Sequence, residues 1–106
     1  MSAAYEKVKR LEQYLAGDVA VDHVVEQTVD KLLERETARL TELKTRLEQQ
    51  LAEFENQYAM KSADFHARFE RGELGDLMDF IEWSATYEMI ANLNKQIALL
   101  QEGAPR

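Results

Sequence analysis

From Asp18 to Arg71 the chain contains neither glycine nor proline, so nothing in the backbone interrupts a helix over that stretch. Apolar residues run through it as Val25, Val29, Leu32, Leu40, Leu43, Leu47, Leu51, Phe54 and Tyr58, and after a polar gap as Phe65 and Phe69. Apart from the eight-residue step from Leu32 to Leu40 and the seven-residue step across the polar gap, the steps are three or four and mark one face of a helix. The intervening positions are strong helix formers, mostly Glu, Lys, Arg, Gln and Ala. From about Asp22 onward, at about 1.5 Å per residue, such a rod is roughly 70 Å long. It cannot bury its own stripe, so a partner segment must cover it.

The segment best suited to do so comes after Arg71-Gly72-Glu73-Leu74-Gly75. Gly72 suits a left-handed helix end, while Asp76 and Asp79 offer a cap and a first-turn acid for a return helix. That helix carries Phe80, Trp83, Tyr87, Ile90, Ile97 and Leu100 and ends before Gly103 and Pro105. Folding back about the turn brings Phe80 toward Phe65, Tyr87 and Ile90 toward Tyr58 and Phe54, and Leu100 toward Leu47. Leu33, Leu40, Leu47 and Phe54 recur every seven residues as in a coiled coil, but Glu36 and Gln50 interrupt a second seam. A loose antiparallel hairpin therefore fits better than a long zipper. Glu42/Arg46, Lys44/Glu48 and Asp64/Arg68 stand four apart as candidate surface ion pairs.

At the N-terminus Ala4, Val8, Leu11 and Leu15 define one face of a short helix, with Glu6 and Arg10 able to pair opposite it. Gly17 supplies a stop, and Asp18 or Asp22 can cap the next helix. Val19 to Val25 is rich in β-branched residues, so extended connector and helix compete there. The expectation is a single all-α domain over residues 1–106: an N-terminal helix over 1–17, a long central helix over 18–71, a turn at 72–75, a return helix over 76–102 and a tail at 103–106. The return helix closes the C-terminal half of the rod. The other half, including Val29, Leu33, Leu40 and Leu43, is then only partly covered, and an uncovered apolar stripe favours association.

With no cysteine, disulfides, thiolate metal sites and cysteine nucleophiles are excluded. Thirteen basic against twenty acidic side chains give a net charge of −7, which opposes attraction to nucleic acid or anionic lipid and suits a basic partner. The N-terminus lacks an apolar signal core, and no apolar run approaches the roughly 20 residues of a membrane span, so a cytoplasmic location is expected.

No catalytic constellation emerges. Glu-x-x-His and His-Glu-x-x-His spacings are absent, and Gly72 and Gly75 lack the rest of a nucleotide loop. Ser62 and His66 stand one turn apart with no oxyanion site or third partner in view. His66 and Glu70 read as a surface pair. The aromatic run Phe65, Phe69, Phe80, Trp83 and Tyr87 lacks interleaved basic residues and reads as core. Neither cofactor nor metal is expected. The acids Glu70, Glu73, Asp76, Asp79 and Glu82 gather at the turn, where the helix dipole favours them; they also offer a contact for a basic partner.

Phe65, Arg68, Phe69, Gly72, Glu73, Leu74, Gly75, Asp76, Asp79, Phe80, Glu82 and Trp83 make an F-x-x-RF-x-x-GELGD-x-x-DF-x-EW pattern. It resembles a signature of small helical bacterial and archaeal proteins, a likeness extending from about Leu32 onward. The resemblance implies an antitoxin component of a toxin-antitoxin operon, non-enzymatic and bound to a partner toxin. The alternative from the residues is a homo-oligomeric coiled-coil adaptor, its stripe closed by a second copy as a dimer or higher oligomer.

Overall fold

A computed structural model describes residues 2–17 and 20–104 of the chain. Four helices account for nearly all of it: α1 (Ala3–Ala16), α2 (His23–Tyr58), α3 (Ser62–Glu70) and α4 (Met78–Glu102). No strand occurs among the described residues, and the expected all-α class with a long central helix and an antiparallel return helix is the architecture found. No helix among them is long and apolar enough to cross a membrane. Packing divides the chain into two units, Met1–Leu32 and Leu33–Arg106, with the division inside α2.

In the N-terminal unit, α1 starts at Ser2, whose hydroxyl accepts the Tyr5 amide at 3.1 Å, and stops at Gly17. The start of α2 is fixed by Asp22: its carboxylate accepts the Val24 amide at 2.8 Å, and its carbonyl accepts those of Val25 and Glu26. Ala20 to Asp22 are non-helical and Val24 and Val25 helical, so the β-branched stretch divides between connector and helix. Asp18, the other expected cap, Val19 at the start of that stretch, and Pro105 in the tail lie outside the described residues.

The C-terminal unit corrects the expectation of an unbroken helix over residues 18–71. Helix α2 ends at Tyr58, and Ala59 takes the left-handed conformation at φ +49°. The Met60 amide then bonds back to the Glu55 carbonyl at 3.3 Å, which is the Schellman closure of a helix end. The Glu55 carboxylate reaches across the break to the Ser62 amide at 2.8 Å, satisfying one of the free donors at the start of α3. What holds the break open is the burial beyond it. Phe65 and Trp83 are both fully buried and stack face to face, 3.8 Å between centroids and 4° between planes. The Trp83 indole N–H donates to the Ser62 hydroxyl at 2.9 Å. A straight α2 would carry both Ser62 and Phe65 away from that ring.

Gly72 (φ +75°) ends α3 as expected, with its amide on the Phe69 carbonyl and the Glu73 amide on that of Arg68. Asp76 does not cap the next helix: α4 begins two residues later than expected, its N-cap is Leu77, and no side chain caps it.

Because α3 folds as a separate piece, α4 meets α2 in a different register from the one expected. Phe80, seven residues before Tyr87, is the ring against Tyr58 at 5.1 Å, and Trp83, seven before Ile90, stacks on Phe54 at 5.5 Å. Phe80 also meets Phe65 at 5.4 Å, as anticipated. The two-turn shift carries the end of α4 further back along α2. Leu40, Leu47 and Leu93 form a buried cluster with Leu43, Ile90, Ile97 and Leu100 packed against it. Leu40 is thus buried within the chain, and Leu43 is half-buried against it. Of the anticipated ion pairs along α2, Glu42–Arg46 forms at 2.6 Å, and Glu36–Arg39 adds another at 3.0 Å.

Candidate functional site

The residues singled out as partner-binding separate into three groups. Leu40 belongs to the core just described, and Leu43 is half-buried beside it. Leu33 is 39% exposed on α2. Val29 lies in the N-terminal unit, in an open groove formed by Leu15 at the end of α1, Val21 in the connector, and Val25 and Val29 on the first turns of α2. Glu26 and Asp30 complete its lining, one residue after each valine, so two carboxylates border an apolar floor.

The surroundings of this groove are unusually bare. No described residue of the N-terminal unit is fully buried, although α1 is amphipathic by its sequence. Tyr5, Val8, Leu11 and Tyr14 on α1, with Val21 and Val24, are all more than a third exposed. At about 25 cal/mol per Å² of apolar surface removed from water, covering several such side chains is the largest favourable term open to this unit.

The acidic turn cluster is for the most part satisfied within the chain. Glu73 pairs with Arg71 at 2.9 Å and lies 4.0 Å from Arg68. Asp79 is half-buried and accepts the Tyr58 hydroxyl at 2.5 Å, with Gln57 at 3.5 Å. That bond, together with desolvation and the charge of Asp79, raises the Tyr58 phenol above its ordinary range. Glu70 turns toward His66, at 3.9 Å. Asp76 and Glu82 remain exposed.

The Ser62–His66 neighbour pair also resolves differently. Ser62 is buried against Trp83, and the imidazole is met instead by Ser84 of α4, whose Oγ lies 3.3 Å from Nδ1. The Tyr87 ring packs on the imidazole at 4.7 Å. Ser84 and Tyr87 carry no signal in sequence as partners of His66, because the pairing depends on the shifted α4 register.

No protein-family model matches the chain, and no curated protein or solved structure does so either.

Proposed function

We propose that the chain is a non-enzymatic helical interaction module of the cytoplasm that binds another, basic protein through its N-terminal unit. The single observation carrying this is the groove of Leu15, Val21, Val25 and Val29, apolar in its floor and bordered by Glu26 and Asp30, in a unit with no buried side chain among its described residues. A partner that fits presents apolar side chains flanked by lysine or arginine. The net charge of −7 steers the same class of partner over longer range, whereas a second copy brings the same excess of acid. In the setting implied by the GELGD resemblance, the partner is the toxin of a toxin-antitoxin pair and the chain masks it.

Co-expression with the adjacent reading frame, followed by co-purification, tests this. A basic product retained by the native chain and lost with Val29→Glu or with Glu26→Lys/Asp30→Lys is the expected result. A neighbour that is neither toxic nor retained sinks the antitoxin role. If light scattering instead finds a dimer whose melting temperature rises with concentration, a second copy closes the stripe and the chain is a homo-oligomeric adaptor.

A further inference from the structure

Beyond the interaction reading, and wholly within the C-terminal unit, His66 and Glu70 of α3 and Glu88 of α4 bring one imidazole nitrogen and two carboxylates together, their ligand atoms all within 4.8 Å of one another. We propose that these three residues bind a divalent transition-metal ion of the zinc class, with Ser84 orienting the imidazole.

The placement arises from two four-residue steps on facing helices. His66 and Glu70 lie one turn apart on α3, and Ser84 and Glu88 one turn apart on α4. Ser84 is buried, and its Oγ stands 3.3 Å from His66 Nδ1. With Nδ1–H donating to that hydroxyl, the imidazole is held in the tautomer that leaves the lone pair on Nε2. This is how metal-bound histidines are commonly oriented by a neighbour that does not itself touch the ion. The Tyr87 ring against the imidazole face limits its rotation.

Nε2 faces Glu70, whose Oε1 is 3.9 Å away, beyond hydrogen-bond range. Two carboxylates this close repel, and a dication between them removes the repulsion. A four-coordinate ion with bonds of about 2.0–2.2 Å holds its donor atoms roughly 3.3 Å apart. The widest separation therefore has to close by up to about 1.5 Å, and the ends of Glu70 and Glu88, both exposed, can move to do so. Three protein ligands leave a fourth position for water. One nitrogen donor among oxygens favours zinc, cobalt or nickel over magnesium and calcium, which take all-oxygen shells.

The test is calorimetric titration of chelator-stripped, untagged full-length chain with Zn²⁺, followed by Co²⁺ substitution read by its visible absorption. Expected is one ion per chain, not displaced by a large excess of Mg²⁺ or Ca²⁺, with a raised melting temperature because the ion ties α3 to α4. His66→Ala and Glu88→Gln should each weaken binding about tenfold or more, and Ser84→Ala by about ten- to a hundredfold, while His23→Ala leaves it unchanged. Glu88 is exposed, so Glu88→Gln keeps the helical circular dichroism and separates lost binding from lost fold. Absence of stoichiometric binding, equal competition by Mg²⁺, or affinity unaltered by Glu88→Gln would overturn the assignment. None of these results bears on the N-terminal groove, so this proposal and the partner reading fail separately.

Discussion

Trp83 is, with Phe65, one of two large side chains among the described residues with no exposed surface. It is fully buried, stacks on Phe65, Phe54 and Tyr58, and spends its one donor on Ser62. Trp83→Ala leaves a cavity that three rings cannot all close, and it should destabilise the C-terminal unit by about 3–5 kcal/mol in urea denaturation monitored by circular dichroism. Tyr58 sets a pH dependence. Its phenol holds its proton to higher pH in the folded chain than in the unfolded one, because the Asp79 carboxylate accepts the hydroxyl. The stabilisation is therefore complete below the ordinary tyrosine range and lost as pH climbs above about 10 through the folded value. Alkaline denaturation of Tyr58→Phe should lack this component; a parent chain whose stability is no more alkali-sensitive than the variant's would contradict it.

At the scale of elements, the return helix and its glycine turn are legible in sequence because Gly72, Gly75 and the aromatic spacing are local signals. The break after Tyr58 is not, because it uses neither glycine nor proline. Its one trace in sequence is the lapse of the apolar stripe between Tyr58 and Phe65, across Met60, Lys61 and Ser62. A helix drawn straight through that break displaces α4 by two turns and leaves Leu40 open when it is core. Leu40→Ala discriminates the two registers. It should cost about 2–5 kcal/mol as a core truncation, where an uncovered leucine would cost almost nothing. The left-handed Ala59 gives the converse case. An alanine there bears a steric penalty of about 1–2 kcal/mol that glycine does not, partly offset by glycine's greater loss of chain entropy. Ala59→Gly should thus raise the thermal midpoint slightly, by up to about 1 kcal/mol in stability, and a lowered midpoint would show that the turn is shaped otherwise.

At the scale of the whole molecule, the two units differ in kind. The C-terminal one has a buried aliphatic cluster continuing into an aromatic one; the N-terminal one has amphipathic helix without interior. The candidate groove is half-legible in sequence: periodicity marks Leu15 on α1 and Val25 and Val29 on α2, but no local signal says that they line one groove with Val21. Local stability tracks apolar burial. Amides of α1 should exchange with solvent orders of magnitude faster than those of α4 around Trp83 and Leu93, and the proposed interaction predicts that they gain protection when a basic partner is added. Equal protection of α1 and α4 in the isolated chain would mean that the exposed stripe is already covered.

The chain holds one tryptophan, sealed beneath Phe65 with its N–H engaged. Its fluorescence is consequently a private optical channel for the C-terminal unit: emission should be blue-shifted and shielded from aqueous quenchers in the native chain. Melting of α1 would pass through it unseen while registering in far-ultraviolet ellipticity. Heating curves recorded by the two spectroscopies should therefore part company, and the size of the gap between them gives the fraction of helix that melts independently of the aromatic core.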